Sequence, residues 1–402
     1  MRKLEGSAVS GGISVGDVVK VLIVTPSYFP IVGGSETLIR TLSTKLNEAG
    51  VHTDVMAFNM DEKWKVLWSE EIYKNSNFKI FKVPGFKPLP FLSESLLYQP
   101  LRINVLPRLD FKKRFEDYDI IHFLGEADLS LPFFSRPVKK PKIMHCVSVP
   151  TLDSQLRKHT VLSKPLVRIF RNLANLYIVF SPEEKKVLVD MGIPTNNVLL
   201  LHYGVDTEVF RPDESKKLDN LILFVGRIDR VKGLHVLLRS LRYLDFKTKV
   251  VVIGPTGDSR YFAQIEKMSS EVNRQGVHSV DYLGEMEQND LVPWYQKATV
   301  LARPDLIGSS GAGCSTLEAL ACGTPVVGVG NHVVKNDVNG LIIPRNDSER
   351  LGDALRRVLL DRSLRERYGR EARRVIEEHF SVKSCITKLI RIYDFLLNSQ
   401  FA

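Results

Sequence analysis

The strongest chemical signal in the sequence lies in a glycine-rich stretch, Gly308–Pro325, which reads GSSGAGCSTLEALACGTP. A glycine turn that leads into a helix presents backbone N–H groups and the positive end of the helix dipole, which together favour a phosphate. Glu318 lies one turn into the predicted helix, where its carboxylate could accept hydrogen bonds from the hydroxyls of a sugar attached to that phosphate. An ordinary helix start with glycines for turn geometry would look the same, so this stretch alone leaves both interpretations open.

Two cations follow the strand that opens the second half of the chain. The apolar run Leu221–Val225 leads into GRIDRVKG at Gly226–Gly233, which contains Arg227 and Lys232. Arginine offers a planar fork to phosphate oxygens, and lysine adds a compact positive charge. The pair could stabilise the charge that develops on a diphosphate leaving group without a metal, so no metal or other cofactor is expected. Solvated surface cations are the alternative for this segment taken alone.

The start of the chain shows a related pattern. Lys20–Thr25 is an apolar run of strand length, and Gly33 and Gly34 open a helix whose leucines recur every four residues. A second strand, Val51–Phe58, follows that helix. This β–loop–α–β unit with paired glycines is typical of phosphate binding at the mouth of a parallel sheet. It lacks the GxGxxG spacing, which disfavours a nicotinamide dinucleotide.

Further strand-length runs alternate with helical patterns along the whole chain, which predicts α/β architecture with parallel sheets. The predicted strands are Phe78–Val83, Asp119–Phe123, Lys142–Val147, Val198–Leu201, Val250–Ile253, Ser279–Tyr282, Thr299–Ala302, Pro325–Val329 and Leu341–Ile343. From Ser348 onwards the pattern is helical. Two such domains, each with a phosphate-ready helix start, suggest a phosphorylated ligand held in the cleft between them.

Composition narrows the class of protein. The chain has 402 residues, of which 44% are hydrophobic and 25% charged, as expected of two or three globular domains. Four scattered cysteines indicate a reducing compartment. The sequence has no run of about 18 uncharged apolar residues, so no membrane span is predicted. The formal charge of +10 favours anionic partners, either nucleotide phosphates or an acidic membrane surface. No nucleic-acid-binding signature is present, so nucleic acid is not expected as a partner.

One segment, Leu156–Leu176, mixes basic and apolar residues. It is either a solvated helix face or a surface that touches acidic lipid headgroups. We therefore expect a cytoplasmic protein with peripheral association at the inner face of the membrane.

Taken together, the motifs resemble those of the retaining glycosyltransferases of family 4, which have the GT-B fold. Beside Gly33-Gly34, the matching segments are Gly204–Pro212 (GVDTEVFRP), Gly226–Gly233, Ser310–Val327 and Asn339–Pro344 (NGLIIP). The resemblance implies two Rossmann-like domains facing across a cleft, with the C-terminal helix crossing back to the N-terminal domain. The implied divisions are a flexible leader at 1–17, an acceptor-side domain at 18–207, a nucleotide-sugar-binding domain at 208–378 and the returning helix at 379–402.

The resemblance also assigns roles to residues. Arg227 and Lys232 match the cations that hold the nucleotide diphosphate, and Glu318 matches the carboxylate that binds the ribose hydroxyls. The glycine pair Gly33-Gly34 would approach the diphosphate from the other domain. The turn that would meet the phosphates and the donor sugar comprises Gly311, Gly313, Cys314, Ser315 and Thr316.

Several positions depart from the family pattern. The first glutamate of the Glu-x7-Glu motif is replaced by Ser310, which can hydrogen-bond a sugar but cannot stabilise an oxocarbenium-like state as a carboxylate does. The family's histidine near the reacting carbon aligns with Ser148, and His145 lies three residues earlier. Asp305, upstream of the motif, is a candidate substitute for the missing carboxylate.

The resemblance thus predicts an enzyme that moves a sugar from a nucleotide-diphosphate donor to a glycan or lipid-linked acceptor with retention of configuration. A front-face mechanism is expected, because no well-placed carboxylate nucleophile is evident. The predicted catalytic residues are Arg227, Lys232, Ser310, His145 and Ser148. Two alternatives stay open: a catalytically silent relative that binds a nucleotide sugar or a partner enzyme, and a nucleotide-sugar epimerase on the same fold.

Overall fold

A computed structural model describes residues 18–26, 28, 34–59, 71–74, 77–86, 106–107, 109–126, 132, 135–147, 167–202, 204–306 and 313–399. The chain separates into two compact units. The first contains Met1–His202 together with Cys385–Ala402, and the second contains Tyr203–Ser384. The predicted α/β class with two parallel-sheet domains is confirmed.

The first unit is built on an eight-stranded sheet with the order β10-β9-β8-β7-β1-β2-β4-β3. Every described pair is parallel except β3 with β4, which is antiparallel. The strands are β1 Lys20–Thr25, β2 His52–Phe58, β3 Glu71–Lys74, β4 Lys79–Val83, β7 Ile120–Glu126, β8 Lys142–Val147, β9 Leu176–Val179 and β10 Val198–Leu200. A separate two-stranded ribbon pairs β5 Gly85–Phe86 with β6 Leu106–Pro107.

Helices accompany this sheet, and their ends follow local sequence signals. They are α1 Gly34–Glu48, α2 Pro182–Asp190, and α9 Val382–Asn398 at the C-terminus, with a 3₁₀ segment at Leu109–Asp117. The sequence Ser-Pro-Glu-Glu at 181–184 predicts a capping box, and Ser181 and Glu184 form one at the start of α2. The core strand β1 buries residues 21–25, as expected of a central strand covered on both faces.

The second unit has a six-stranded, wholly parallel sheet with the order β13-β12-β11-β14-β15-β16. Its strands are β11 Leu221–Val225, β12 Thr248–Ile253, β13 His278–Tyr282, β14 Val300–Arg303, β15 Val326–Val329 and β16 Gly340–Ile343. Its helices are α3 Leu234–Ser240, α4 Ser259–Gln275, α5 Gln288–Lys297, α6 Cys314–Ala321, α7 Ser348–Leu360 and α8 Arg362–His379. One hydrophobic cluster packs on each face of the sheet.

The structure differs from the sequence-based prediction at several elements. Strand β3 was not predicted, because it is short and lies at the sheet edge with Ile72 and Tyr73 exposed. Strand β9 was not predicted either: only its first residue, Leu176, falls in the basic segment Leu156–Leu176, and all four residues of the strand are buried. The sequence after Gly233 predicts a helix over Leu234–Leu244, whereas in the structure the helix ends at Ser240 and continues as one 3₁₀ turn.

Candidate functional site

The site in the second unit forms where the strand order reverses. Strand β11 lies between β12 and β14, so the connections leaving β11 and β14 run to opposite faces of the sheet. In open α/β sheets, the carboxyl ends of the strands on either side of such a reversal leave a crevice in which ligands bind. Arg227 and Lys232 follow β11, and Asp305 follows β14. The topology therefore brings both predicted phosphate-binding cations to the crevice.

A buried ion-pair network connects the two strand ends. Lys232 Nζ lies 3.1 Å from Asp305 Oδ1, and Arg303 Nε lies 2.8 Å from Asp305 Oδ2. The side chains of Arg303 and Asp305 are each 7% exposed, whereas that of Lys232 is 31% exposed. Burial acts to raise the pKa of Asp305, but the charges of Arg303 and Lys232 outweigh it and hold the pKa below its usual value. Asp305 is therefore ionised, and Lys232 remains open to solvent on one side.

Arg303 also contacts the first turn of α6. Its Nη1 donates to Ser315 Oγ at 3.0 Å and to Thr316 Oγ1 at 2.8 Å. Gly313, just before α6, has a φ of 72°, and a Cβ there would lie 3.0 Å from Arg303 Nη1. Glycine at this position permits the left-handed backbone and leaves room for the guanidinium. Arg303 thus links the end of β14 to the start of α6. Through Asp305 it is also linked to Lys232.

The loop after β11 is shaped by Asp229 and Gly233. Asp229 accepts a hydrogen bond from the backbone N–H of Lys232 at 3.1 Å and so caps a short 3₁₀ turn. Gly233 ends that turn with a φ of 71°, and a Cβ there would lie 2.1 Å from the carbonyl oxygen of Pro304. The two strand-end loops therefore approach each other so closely that only glycine fits between them. This approach holds the backbone of Lys232 next to Asp305.

Arg227 lies on the same loop with its guanidinium largely in solvent. Its Nε lies 2.6 Å from Asp229 Oδ2, and its side chain is 64% exposed. An exposed ion pair of this kind contributes little stability, so the guanidinium can turn to an anion at little cost.

Glu318 is held in a different way, by neutral donors. Gln288 Nε2 donates to Oε1 at 2.8 Å, and Tyr295 Oη donates to Oε2 at 2.8 Å. Glu318 is 4% exposed. Burial raises its pKa above the usual value, and the two hydrogen bonds partly offset that shift. Each carboxylate oxygen keeps a lone pair, so Glu318 can still accept a hydrogen bond from a ligand hydroxyl.

The remaining predicted residues divide into two sets. Cys314 begins α6 beside Ser315 and Thr316, and burial raises the pKa of its thiol to about 12, so it is a thiol and not a thiolate. Gly34 is the first residue of α1. Four predicted site residues lie outside the described part of the chain: Gly33, Ser148, Ser310 and Gly311. Most of the basic segment Leu156–Leu176 also lies outside it.

His145 lies on β8 in the first unit, in a chain of buried rings. Its Nδ1 is 3.3 Å from His122 Nε2, and His122 Nδ1 is 2.7 Å from Tyr393 Oη on α9. Burial, reinforced by His122, lowers the pKa of His145 well below its usual value, and burial lowers that of His122 to about 3. Both imidazoles are therefore neutral. Their hydrogen bonds tie α9 to the sheet of the first unit.

Sequence reasoning missed Arg303 as a site residue, along with Gln288 and Tyr295. Arg303 ends an otherwise apolar strand, VLAR, directly before Pro304 and Asp305. The available signal was a charged residue at the last position of a buried strand, because the carboxyl ends of parallel strands carry ligand sites. Gln288 and Tyr295 carry no such signal, since they lie on α5 and reach Glu318 only in the folded unit.

In the part of the chain that the structure describes, no group of three or more His, Cys, Asp or Glu side chains is placed to hold a metal ion. The described helices include none that combines the length and the apolar character needed to cross a membrane.

The second unit is thus an open parallel α/β domain whose strand reversal carries a buried network of charged side chains. Comparisons with known proteins agree. The glycosyltransferase family 4 model matches residues 32–209, and the model for glycosyl transferases group 1 matches residues 206–375. The two matches follow one another along most of the chain, and the protein belongs to the group 1, family 4 glycosyltransferases.

Individual relatives span the whole chain. O-antigen chain mannosyltransferase C of Escherichia coli is 25% identical over 399 residues, covering 95% of this chain and 100% of the relative. HepE of Anabaena, solved in complex with UDP and glucose, has a TM-score of 0.73 at 16% identity, covering 94% of this chain and 99% of HepE. Sucrose-phosphate synthase of Thermosynechococcus elongatus has a TM-score of 0.73 at 19% identity, covering 95% of this chain and 100% of the synthase. The likeness to the two solved structures establishes the shared fold.

Proposed function

We propose that this glycosyltransferase moves a hexosyl group from a nucleoside-diphosphate sugar to a glycan or lipid-linked acceptor with retention of configuration. The observation that carries the proposal is the meeting of Lys232, Asp305 and Arg303 with the first turn of α6 at the point where the strand order reverses. That crevice suits a diphosphate. The mannosyltransferase relative and the UDP-bound structural neighbour support a sugar nucleotide as donor.

In the proposed reaction, positive groups of the protein stabilise the negative charge of the leaving diphosphate. The bond between the anomeric carbon and the diphosphate oxygen breaks, and negative charge develops on the departing diphosphate. Lys232, Arg227 and the amides at the start of α6 stabilise that charge. The acceptor hydroxyl attacks the same face of the sugar, and its proton passes to an oxygen of the leaving phosphate. No protein nucleophile and no metal is required in this scheme.

Other residues bind and orient the donor. Glu318 accepts hydrogen bonds from the ribose hydroxyls, and Gln288 and Tyr295 fix its carboxylate for that purpose. The amides of Gly311 and Gly313 meet the phosphates. Ser310 contacts the transferred sugar, as does Ser148, and Gly33 with Gly34 meets the diphosphate. These assignments are proposals that rest on the motif resemblance.

A location of the protein at an acidic membrane surface would suit a lipid-linked acceptor. The formal charge of +10 would draw the protein to anionic lipids at low ionic strength. Binding to vesicles with and without phosphatidylserine tests this, and equal binding to both would contradict it.

Donor turnover tests the proposed function. Purified protein is incubated with a panel of UDP-, GDP- and ADP-sugars and a lipid extract or oligosaccharide acceptor, and release of nucleoside diphosphate is measured. We expect one donor to be turned over, with the product's anomeric configuration by NMR equal to that of the donor. Tight nucleotide binding without turnover of any donor would favour a catalytically silent relative, and an inverted product would contradict retention.

A further inference from the structure

We propose that Arg303 is a positioning residue, which prepares Lys232 and the first turn of α6 to receive the diphosphate of the donor. This inference rests on the proposed function. Arg303 need not touch the ligand itself. It acts through Asp305 on one side and through Ser315 and Thr316 on the other.

The planar shape of the Arg303 guanidinium lets it hold two sets of partners in fixed positions. Arg303 uses Nε for Asp305 and Nη1 for both hydroxyls of α6, so its donors point in two fixed directions from one planar group. A lysine at this position would keep the charge, but its single nitrogen could not serve both directions. At 7% exposure the guanidinium has little solvent to replace a lost partner. The fork therefore sets the distance between Asp305 and the start of α6.

Arg303 also sets the net charge of the three side chains. Without Arg303, Asp305 and Lys232 would form a neutral pair, and an arriving diphosphate would meet no net positive charge there. With Arg303, the three side chains carry two positive charges and one negative charge, which leaves a net charge of one positive. Because Lys232 is the most exposed of the three, that surplus lies on the side from which a ligand arrives.

Arg303 further fixes the direction of a hydrogen bond at Ser315. Arg303 Nη1 donates to Ser315 Oγ, which therefore acts as an acceptor in that contact. The hydroxyl keeps its own hydrogen for another partner, and Ser315 is only half-buried at the start of α6. A phosphate oxygen at this helix start could then accept from Ser315 as well as from backbone N–H groups. By occupying one lone pair of Ser315 Oγ, Arg303 leaves the hydroxyl hydrogen available to a ligand.

Calorimetric titration with UDP and with GDP provides the test, using the nucleotide that binds the unchanged protein more tightly. We expect Arg303→Lys to weaken binding about tenfold and Arg303→Met to weaken it further, because one charge-assisted contact and then the charge itself is lost. Arg373→Lys is the matched control: Arg373 also lies in the second unit and touches α6, but at the carbonyl oxygen of Ala321 at its far end. The nucleotide affinity of Arg373→Lys should differ from that of the unchanged protein by less than about twofold.

A double-mutant cycle separates positioning from a mere effect on folding. If Arg303 acts partly through Lys232, the loss caused by Arg303→Met should be clearly smaller in a Lys232→Met background, where only its contacts with Ser315 and Thr316 still contribute. Losses that multiply would overturn the inference, as would wild-type affinity in Arg303→Lys. Circular dichroism checks the fold, and if Arg303→Met does not fold, Arg303→Lys combined with Lys232→Met carries the same cycle. Failure of the unchanged protein to bind any nucleoside diphosphate would instead overturn the proposed function, and this inference with it.

Discussion

Lys232 Nζ lies 3.1 Å from Asp305 Oδ1, so a cation predicted to hold the donor's diphosphate is already in contact with a carboxylate. A carboxylate beside a phosphate site would normally repel the ligand. Here Arg303 shares the same carboxylate and neutralises it. The finding also places Asp305, the candidate substitute for the missing glutamate, next to the proposed diphosphate site.

Replacing Asp305 should mainly cost stability. Asp305→Asn leaves the buried Arg303 without its anion, and breaking a buried pair in this way costs about 3–5 kcal/mol. Because the pKa of Asp305 is lowered in the folded state, its ionised form stabilises the fold at neutral pH, and that contribution is lost as the pH falls through the folded pKa. Urea unfolding should show a large difference between variant and wild type at pH 7. A difference that does not shrink in acid would contradict this account.

Replacing Glu318 should have the opposite effect on stability. Burial raises the pKa of Glu318, so its ionised form disfavours the fold once the pH exceeds the unfolded pKa of about 4. Glu318→Gln should therefore be at least as stable as wild type at pH 7, while its nucleotide affinity falls about tenfold through the loss of a charged acceptor for ribose. Denaturation and calorimetry on the same preparation check both parts. Lower stability together with unchanged affinity would show a structural role instead.

Much of the fold could be predicted from the sequence, because its signals are local. The run LILFV at Leu221–Val225 is a buried central strand, and the capping box at Ser181 starts α2 as predicted. The polar strand Glu71–Lys74 could not be recognised, since only its pairing with β4 makes it a strand. Arg303 reads as a solvated charge until Asp305 and the start of α6 enclose it. The predicted roles of Ser148 and Ser310 stay predictions.

The glycine at the end of the β11 loop should be irreplaceable. Gly233→Ala places a Cβ 2.1 Å from the Pro304 carbonyl oxygen and in a left-handed conformation. We expect a loss well above the roughly 1–2 kcal/mol of the conformational strain alone, and a lower kcat/KM because Lys232 moves. Gly276→Ala is the matched control, since Gly276 has a φ of 77° with open space around it. Thermal unfolding that falls equally in the two variants would contradict the close approach.

Arg227 and Ser310 should differ in what they bind. Arg227→Ala removes a charged partner of the diphosphate and should weaken nucleoside-diphosphate binding about tenfold. Ser310→Ala should change that affinity much less, because we assign Ser310 to the sugar. Calorimetry with the bare nucleoside diphosphate tests the division, and equal losses in both variants would refute it.

Removal of divalent metal should leave the reaction intact. The proposed scheme stabilises the leaving diphosphate with Lys232, Arg227 and the start of α6, so turnover in excess EDTA should stay within about twofold of turnover without it. A manganese-dependent glycosyltransferase assayed in parallel confirms that the chelator is effective. If EDTA abolishes turnover and added magnesium or manganese restores it, Lys232, Arg227 and the start of α6 are not sufficient to stabilise the leaving diphosphate.

The most direct measurement is a crystal structure of the protein with the nucleoside diphosphate that it binds most tightly. We predict that the diphosphate lies at the carboxyl ends of β11 and β14, with its oxygens about 3 Å from Lys232 Nζ and from the Arg227 guanidinium. Its ribose should then contact Glu318. A diphosphate bound elsewhere, with Lys232 still paired only to Asp305, would contradict the central claim.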